Sequence, residues 1–496
     1  MGRGSAGIDA AELRGVEALH VTVEVSTSGG IPGIDVVGMP DSAVLEARSR
    51  VRCALRSCGF ELPRARVTVN LAPSEMRKTG TGFDLPIATA ILVATGQLPR
   101  RLAKGCLMVG ELGLDGSVCP VRGGVAYAQL AHERGLSLVT SALAQVSPGW
   151  PGETHGLVSL AQLRGGVSAL PPVGLAGASP VGAPMAPALD YADVVDQDLA
   201  KRAMVIAAAG RHGVLMVGPP GAGKTMLARR LPTILPPLGE GEADEALLVH
   251  SVAGEPIDGI ARGERPFRAP HHSISVGGLV GGGRPVRPGE VSLADKGVLF
   301  LDELPEFGRG ALQAMRQPLE DGEVRIVRVD GVYTFPCDFQ LVAAANPCPC
   351  GHLGDPDAEC SCTPARVSAY QGRIGGPLMD RIDVVVDVAR PSGRKVIREQ
   401  RGQSSEEMAD LVAQARERAA RRARRDDGRA GPVAAALLDQ GAQRTFEGLA
   451  ERLRLGGRAI ARVARVARTI ADLAGHDRVT SDDIVEAVGF RSRSVE

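Results

Sequence analysis

The sequence predicts an α/β protein of several domains, with a parallel sheet in the middle of the chain and a helical region at its end. Strand and helix signals alternate from residue 190 to 390, and this alternation is typical of a parallel α/β sheet. From residue 391 to 496 strand signals vanish, while Ala, Arg, Glu and Leu dominate. At 496 residues, the chain is long enough for roughly three domains.

The N-terminal region, residues 1–169, mixes both signals and predicts an α+β domain. "ALHVTVEVST" and "ARVTVNLAP" are typical of strands. "DSAVLEARSRVRCALRSCGF" has apolar residues at helical spacing, and Asp41 or Ser42 could cap that helix. Residues 170–189 are rich in Pro, Gly, Ala and Ser, and predict an interdomain linker.

The charge balance excludes no class of binding partner, whereas the hydropathy pattern predicts where in the cell the protein is located. Lys plus Arg equals Asp plus Glu at 57 each, so the total charge names no partner. Nucleic acid is not excluded, because binding depends on local basic surface. The chain has no run of about 18 apolar residues and no apolar segment near its start. We therefore expect a cytoplasmic protein without a membrane span, whose thiols stay reduced.

A phosphate-binding loop is the strongest functional signal. "GPPGAGKT" fits the pattern G-x-x-x-x-G-K-[ST], between an apolar strand at 214–217 and a helix pattern. The glycines let backbone N–H groups face phosphate oxygens at a helix N-terminus. We expect Lys224 to reach the β- and γ-phosphates of ATP and Thr225 to ligate Mg²⁺. The predicted nucleotide-binding residues are Gly218, Pro219, Pro220, Gly221, Ala222, Gly223, Lys224 and Thr225.

An acidic pair ends the next buried strand, "GVLFLDEL". Ligands of α/β sheets bind at the carboxyl ends of strands, so Asp302 is expected to hold the Mg²⁺ through water. Hydrolysis needs an oriented water, and we assign its polarisation to Glu303. Two alternatives are a solvated acidic pair and nucleotide binding without hydrolysis; Glu303 argues against the second.

Two further polar residues flank strands of the same region. "FQLVAAAN" predicts a buried strand that ends in Asn346, which could position the water or touch the γ-phosphate. Arg381 stands just before another apolar strand and cannot easily be buried without a partner. It could be an arginine finger that reaches the γ-phosphate of a neighbouring copy. A local salt bridge with Asp380 or Asp383 is the alternative.

Four of the nine cysteines crowd into residues 348–362, as C-x-C, nine residues, C-x-C. This spacing suits tetrahedral zinc, and His352 could replace one thiol. Idle reduced thiols and a redox switch remain open. A metal here would be structural, fixing the segment between Asn346 and Arg381. The predicted ligands are Cys348, Cys350, Cys360 and Cys362.

The phosphate-binding loop, "LFLDE", Asn346, Arg381 and the helical end together resemble an AAA+ ATPase. "RPFRAPHHSIS", "NPCPCG" and "ARVARTIADL" are more similar to one branch, the magnesium-chelatase-like YifB/ComM family. The resemblance implies a hexameric ring ATPase, with residues 391–496 as its lid and Arg458 as a second sensor of the γ-phosphate. ComM-like members act on DNA, in branch migration and integration of single strands. Asp295 and Gly375 depart from the family pattern, which puts local loop geometry in doubt.

The N-terminal region resembles the Lon-protease-like fold of this family. A Lon-type protease needs a Ser nucleophile and a Lys base, but Gly82 and Ala126 stand at those positions. We therefore expect no proteolysis and a role in DNA contact or ring support. Basic residues that could serve DNA contact, or form a solvated face, are Arg64, Arg66, Arg77 and Lys78.

Three other segments bear on DNA binding. The Gly-rich segment 274–290, with Arg284 and Arg287, could be a pore loop or a flexible connector. The Arg-dense segment 415–429 could touch phosphates. On the helix predicted at 455–473, three arginines besides Arg458 could be solvated surface or DNA contacts: Arg462, Arg465 and Arg468.

Three functions remain open from the sequence: a DNA-translocating motor or helicase, a chelatase motor that inserts Mg²⁺ or Co²⁺ into a tetrapyrrole, and an ATP-gated scaffold. Chelatase partners carry a D-x-S-x-S motif, which this chain lacks. The adjacent His271 and His272 would diverge on regular structure, which argues against a metal held by both.

Overall fold

The computed structural model describes residues 4–147, 152–173, 189–355, 358–374, 376–397, 402–424 and 431–491. Most of the predicted linker, residues 174–188, lies outside the described residues, as do Gly375 and residues 425–429.

The N-terminal region combines a large sheet with three helices. Its strands are β1 (Ser5–Arg14), β2 (Glu17–Ser28), β3 (Gly33–Val37), β4 (Arg66–Ala72), β5 (Cys106–Met108), β6 (Glu111–Leu112), β7 (Val118–Cys119), β8 (Ser137–Ser141) and β9 (Thr154–Leu157). Its helices are α1 (Ser42–Ser57), α2 (Asp84–Ala94) and α3 (Gly124–Glu133), with 3₁₀ turns at Arg100–Ala103, Leu160–Gly165 and Val167–Ala169.

Seven of these strands form one sheet in the order β3-β4-β2-β1-β5-β8-β9. The predicted helix α1 begins after Asp41, whose carboxylate accepts a hydrogen bond from the backbone N–H of Val44 at 2.9 Å. Helix α2 is buried from Asp84 to Val93, because it packs against β1 and β2 and is covered by α1. Asp84 is tolerated there because Arg50 donates to both of its carboxylate oxygens.

The central region alternates strands and helices as the sequence predicts. Its strands are β10 (Gly213–Val217), β11 (Phe267–Arg268), β12 (Gly281–Gly282), β13 (Arg287–Pro288), β14 (Val298–Leu301), β15 (Glu323–Arg328), β16 (Gly331–Pro336), β17 (Gln340–Ala345) and β18 (Ile382–Asp387). Its helices are α4 (Asp198–Gly210), α5 (Lys224–Arg230), α6 (Glu240–Ala253), α7 (Asp258–Ala261), α8 (Val276–Val280), α9 (Glu290–Leu293), α10 (Arg309–Ala314), α11 (Arg316–Asp321), α12 (Pro364–Gln371), α13 (Gly376–Met379) and α14 (Gly393–Ile397). Further 3₁₀ turns are Tyr191–Asp193, Leu231–Ile234 and Leu304–Glu306.

Five parallel strands, in the order β11-β14-β17-β10-β18, form the central sheet. The register pairs Val217 with both Ala345 and Asp387, and Gly213 with Ile382. The carboxyl ends of β10, β14 and β17 therefore meet along one side, which we call the carboxyl edge. The residues that precede the strands, including Arg381, lie along the opposite side, the amino edge. The two edges are roughly 13 Å apart, for four steps of about 3.3 Å along β10.

The C-terminal region is helical, as predicted: α15 (Ser405–Ala423), α16 (Pro432–Ala436), α17 (Gln440–Arg452), α18 (Gly457–Ala474) and α19 (Ser481–Gly489). Helix α18 packs against α4, α15, α16 and α19, and its apolar face is buried. A buried His212 joins this region to the central sheet, because its ring contacts Asp383 at 2.9 Å and Thr469 at 2.8 Å.

The N-terminal region docks on the central one through α3 and α6. Ser251 is the polar centre of this contact: its carbonyl accepts from the N–H of Gly123 at 2.9 Å, and its hydroxyl accepts from the N–H of Val125 at 3.1 Å. Val125 also packs with apolar residues of the central region, Ala246 and Ile257 among them. Arg14 reaches the carbonyl of Asp330 in the β15–β16 turn at 3.2 Å.

Across the residues that the structure describes, no helix combines the length and apolar character that crossing a membrane requires.

Candidate nucleotide-binding site

The phosphate-binding loop joins β10 to α5 at the carboxyl edge. Gly221 and Gly223 have φ of +79° and +89°, a backbone conformation that favours glycine. A Cβ at either position would meet nothing within 4 Å. Glycine is therefore favoured there by the left-handed backbone and not by lack of space. Gly218 differs, because a Cβ there would lie 2.1 Å from the carbonyl oxygen of Val388.

Lys224 closes the loop onto the neighbouring strand. Its ammonium donates to the carbonyl oxygens of Gly218 at 2.6 Å and Pro219 at 3.0 Å, and to Oδ1 of Asn346 at 3.1 Å. Burial lowers the pKa of Lys224, and the nearby carboxylates of Asp302 and Glu303 counter that effect. An anionic phosphate at this place would have the same favourable effect on the charged lysine.

Thr225 and Asp302 lie side by side, and the Thr225 hydroxyl donates to Oδ2 of Asp302 at 2.7 Å. Oδ1 of Asp302 accepts from the N–H of Glu303 at 3.0 Å, which fixes the carboxylate. A hydroxyl and a carboxylate at the phosphate-binding loop form the oxygen donor set that suits Mg²⁺ alongside phosphate oxygens. The residues present therefore fit the predicted magnesium site.

Glu303 projects from a strained backbone at the end of β14. Its φ of 52° and ψ of 47° are left-handed, and the side chain is half exposed. Oε2 of Glu303 lies 3.2 Å from Nδ1 of His272. No local pattern in the sequence indicates this contact, since His272 and Glu303 lie in segments that follow different strands.

Gln197 is a second residue that the sequence analysis missed. Its buried side-chain amide donates to the carbonyl of Ala222 in the phosphate-binding loop at 3.1 Å and to that of Ala389 after β18 at 2.7 Å. It thereby fixes the loop relative to β18. No local pattern marks such a residue, since both partners are distant in sequence.

Arg381 lies at the amino edge, between α13 and β18, and its side chain is exposed. Within the described part of the chain it forms no ion pair. Asp380 pairs with Arg458, and Asp383 pairs with His212 and Arg465. The salt bridge considered from the sequence is therefore not formed.

Arg458 is also at the amino edge, where it donates to Asp380 with most of its side chain exposed. The structure thus brings Lys224, Thr225, Asp302, Glu303 and Asn346 together at the carboxyl edge. Arg381 and Arg458 stand together on the other side of the same sheet.

The four cysteines converge. The Sγ atom of Cys348 lies 3.3 Å from that of Cys350 and 3.7 Å from that of Cys360, and all four sulfurs lie within 4.8 Å of one another. Ligands about 2.3 Å from a tetrahedral metal are themselves about 3.8 Å apart, so this cluster fits a metal. His352 is not needed as a metal ligand in place of a thiol, and its ring contacts Asp355 instead. Hydrogen bonds from the His352 backbone and the Cys348 thiol lower the pKa of Cys350 to about 5.

This cysteine cluster packs directly on the phosphate-binding loop. Gly351, between Cys350 and His352, has φ of +84°, and a Cβ there would lie 2.5 Å from Cδ of Pro220. Only a glycine allows the two loops this close approach. The cluster therefore packs against the candidate nucleotide site as well as lying between Asn346 and Arg381 in the chain.

The Gly-rich segment 274–290 is folded rather than a free connector. It contains α8 and the β12–β13 pair, and Arg284 and Arg287 are exposed. Beside it stands the β15–β16 hairpin, which the sequence analysis did not single out. Ile326 of this hairpin would lie 3.3 Å from a Cβ at Gly281. Its exposed apolar residues are Val327, Val329 and Val332.

Several predicted basic surfaces are engaged inside the chain, which corrects the sequence analysis. Arg462 donates to the carbonyls of Met379 and Ile382, and buried Arg468 donates to Asp472. In the segment 415–429, Arg416 donates to the carbonyl of Ala208, and burial lowers its pKa to about 10. In the N-terminal region Lys78 is fully buried.

The structure shows the surroundings of the residues that depart from the Lon-protease pattern and from the family pattern. Gly82 and the buried Ala126 carry no nucleophile or base, and a Cβ at Gly82 would already approach Val109 at 3.1 Å. Asp295 is almost fully buried before β14, where Oδ1 accepts from the N–H of Asp338 while Oδ2 has no partner among the described residues. Burial raises the pKa of Asp295 to about 7.

Comparison with known proteins identifies the family to which the chain belongs. Models of magnesium chelatase, subunit ChlI, match residues 190–396; those of subunit ChlI of Mg-chelatase match 23–142, and those of its C-terminal part match 402–491. The chain is 40% identical to competence protein ComM of Haemophilus influenzae over 495 residues, or 96% of each chain. It is 39% identical to YifB of Escherichia coli over 500 residues, covering 96% of this chain and 95% of that one.

A more distant relative is the magnesium-chelatase 67 kDa subunit of Heliobacterium mobile, 28% identical over 202 residues, which cover 34% of this chain and 30% of that protein. The near-complete matches and the architecture agree: an N-terminal α+β region, a five-stranded parallel sheet with a phosphate-binding loop, and a helical end. The chain belongs to the YifB/ComM family of magnesium-chelatase-like AAA+ proteins.

Proposed function

We propose that this chain is an ATP-hydrolysing motor that assembles into a hexameric ring and acts on DNA in the cytoplasm. The observation that carries the proposal is the division of charged groups between the two edges of one sheet. The side chains proposed to bind phosphate stand at the carboxyl edge, while Arg381, exposed and without an ion pair among the described residues, stands at the amino edge. A ring brings the amino edge of one copy to the carboxyl edge of the next.

The proposed chemistry is attack of water on the γ-phosphorus, with cleavage of the bond to the β–γ bridging oxygen. Glu303 accepts the proton of that water, and Asn346 helps to place it. Lys224 balances charge on the β- and γ-phosphates. Thr225 and Asp302 would hold Mg²⁺, which supplies further positive charge to the phosphate oxygens. Arg381 of the neighbouring copy stabilises the charge that develops on the transferred group.

Arg458 would act beside Arg381 on the same neighbouring nucleotide. Its bond to Asp380 holds it at the amino edge, away from the phosphate-binding loop of its own chain. Contact with the neighbour's γ-phosphate requires Arg458 to leave Asp380. An exposed pair of this kind contributes at most about 1 kcal/mol, so the exchange costs little.

The DNA part of the proposal rests on two exposed features and one relative. Arg284 and Arg287 lie in the Gly-rich segment, and the β15–β16 hairpin beside it presents Val327 and Val329 to solvent. Arginines suit phosphates, and an apolar tip suits unpaired bases. The Haemophilus relative is a competence protein, which agrees with a role on DNA.

A chelatase motor is the second candidate. It is favoured by the names of the matching family models and by the partial match to a magnesium-chelatase subunit. Purified protein should be tested for ATP turnover with single-stranded DNA, branched DNA, duplex DNA and no DNA, and separately with a porphyrin-binding partner. We expect stimulation by single-stranded or branched DNA. Stimulation by the porphyrin-binding partner alone would favour the chelatase. No ATP turnover under any condition would leave the ATP-gated scaffold as the remaining candidate function.

The cysteine cluster is proposed to hold a structural Zn²⁺. The supporting observation is the mutual approach of four sulfurs to within 4.8 Å, and the proposed cytoplasmic location would keep these thiols reduced. Metal analysis of the purified protein should give about one zinc per chain. A folded sample that contains no metal would exclude this assignment.

A further inference from the structure

We propose that His212 is a positioning residue for Arg381, and that it thereby acts on the nucleotide of the neighbouring copy rather than on that of its own chain. The action on the neighbour rests on the proposed function; the positioning of Arg381 within the chain does not. His212 directly precedes β10 at the amino edge, and it is almost fully buried. Its contacts there connect the start of β18 with the helical region.

The two ring nitrogens of His212 contact two different parts of the molecule. Nδ1 lies 2.9 Å from Oδ2 of Asp383, and Nε2 lies 2.8 Å from Oγ1 of Thr469. Because an ionised carboxylate only accepts hydrogen bonds, Nδ1 is assigned as the donor to Asp383. Asp383 lies in β18, two residues after Arg381, whereas Thr469 lies on helix α18. The imidazole therefore ties the strand that follows Arg381 to the helical region.

Two glycines beside His212 leave the space that this arrangement needs. A Cβ at Gly210 would lie 2.2 Å from Nε2 of His212 and 2.5 Å from Oγ1 of Thr469. A Cβ at Gly213 would lie 2.3 Å from the carbonyl oxygen of Arg381. The backbone that carries the imidazole therefore packs directly against the backbone of Arg381. In a close-packed interior, a shift of one is transmitted to the other.

Helix α18 holds the segment 379–383, which we call the arginine mount, from its other side. Arg462 donates to two carbonyls of the mount, at 2.7 and 3.2 Å. Arg465 donates at 2.9 Å to Oδ1 of Asp383, the carboxylate oxygen that the imidazole does not contact. Among the charged side chains of the mount, Arg381 alone has no ion pair within the described residues. The mount is thus fixed on two sides and leaves one arginine exposed.

The strand β10 separates His212 from the phosphate-binding loop of its own chain. It spans Gly213–Val217, roughly 13 Å for four steps of about 3.3 Å. At that distance the imidazole touches no nucleotide bound by its own chain. A defect that passes through Arg381 appears at the neighbouring copy's site, where we propose that Arg381 acts. A defect that passes along β10 would appear at the chain's own site, so the two routes give opposite results when copies are mixed.

The variant His212→Phe fills the space of the ring but cannot donate to Asp383. We expect kcat for ATP to fall about tenfold while ATP affinity stays within a few-fold, because a misplaced Arg381 affects the developing charge and not ground-state binding. His212→Asn keeps a donor nitrogen attached to Cγ, as Nδ1 is, and should recover most of kcat. The matched control is His250→Phe, which removes another buried histidine of the central region and should keep kcat within about twofold.

Mixed assemblies show at which site the loss occurs. Combined with Lys224→Ala, the His212→Phe variant should gain turnover, because the Lys224 variant supplies a well-placed Arg381 to a site whose Lys224 is intact. Combined with Arg381→Ala, it should give no more than the sum of the two separate samples, because neither variant supplies a well-placed arginine. A gain only with Arg381→Ala, or a gain with neither partner while Lys224→Ala and Arg381→Ala regain turnover together, would overturn the action on the neighbour.

Amide hydrogen exchange separates this inference from the proposed ring. If Lys224→Ala and Arg381→Ala, both with intact His212, regain no turnover together, the ring proposal fails, and exchange still decides the positioning. We expect amides of the arginine mount to exchange about tenfold faster in His212→Phe than in the unaltered chain, as for loss of a buried hydrogen bond to a charged group. Amides of α5, after the phosphate-binding loop, should be unchanged. Equal exchange of the mount in the two chains would overturn the positioning role.

Discussion

The carboxyl and amino edges of the central sheet are both rich in charge, but they use it differently. At the carboxyl edge, Lys224 is satisfied by two carbonyls and an amide, all of which a phosphate can replace or supplement. At the amino edge most cations are held by carboxylates, as in Arg211 with Asp338. Arg381 is the exception there, exposed and without an ion pair in the described residues. One edge is therefore suited to receiving an anion, and we propose that the other brings Arg381, with Arg458 beside it, to the nucleotide of a neighbouring copy.

The largest effect is expected from removing Lys224, the cation of the carboxyl edge. Lys224→Ala should abolish measurable ATP binding, because we propose that the buried ammonium pairs with the phosphates. Calorimetric titration with a non-hydrolysable ATP analogue checks this, with Lys201→Ala as the control for a lysine of low exposure elsewhere. Micromolar binding by Lys224→Ala would show that the carboxyl edge is not the anion site.

The second effect concerns the amino edge. Arg381→Ala should leave nucleotide affinity within a few-fold but reduce kcat by about 10² or more, as expected for a finger that acts on the developing charge. Arg421→Ala is the control, since that exposed arginine pairs with Glu417 within its own helix. Equal turnover by the Arg381 and Arg421 variants would remove the functional contrast between the two edges.

The third prediction tests whether the cysteine cluster belongs to the carboxyl edge. Gly351→Ala places a Cβ 2.5 Å from Pro220 and should weaken ATP affinity about tenfold, whereas zinc content stays the same. Gly354→Ala is matched to it, because Gly354 has a similar φ of +76° but nothing within 4 Å of the added Cβ. If both variants bind ATP equally, backbone strain rather than contact with the loop explains any loss.

The smallest effect is on stability and tests a buried charge at the amino edge. Burial raises the pKa of Asp295 to about 7, above its value in the unfolded chain. The folded state therefore holds the proton more tightly, so this group's contribution is favourable at low pH and is lost as pH rises from about 4 to 7. Asp295→Asn should raise the free energy of unfolding by about 1–4 kcal/mol at pH 8 and change it little below pH 4. Denaturant titrations at the two pH values check the sign.

Much of the carboxyl edge could be predicted from the sequence, because its residues directly follow buried strands. Once the strands are parallel, Thr225, Asp302 and Asn346 lie at the same edge of the sheet, and the strand order β14-β17-β10 brings them together. The same reasoning predicted the cysteine cluster from its spacing. Local signals were enough wherever the group and its strand are neighbours in sequence.

The remaining features depend on partners that are far apart in the chain. The helical pattern predicts Arg462 and Arg468 as solvated surface or DNA contacts, yet they bind Met379 and Asp472 within the fold. Lys78 read as surface and is fully buried. Gln197 contacts a carbonyl 192 residues away. A helical period gives the face of a residue, but only the packed fold decides whether water or protein covers that face.

The central claim is that the carboxyl edge of one copy is completed by the amino edge of another, and mixed assemblies test it most directly. Lys224→Ala and Arg381→Ala should each be nearly inactive alone. Mixed before assembly, they should regain ATP turnover, because an intact Arg381 from the Lys224 variant meets an intact Lys224 in the Arg381 variant. Turnover in the mixture no higher than the sum of the two separate samples would contradict the claim.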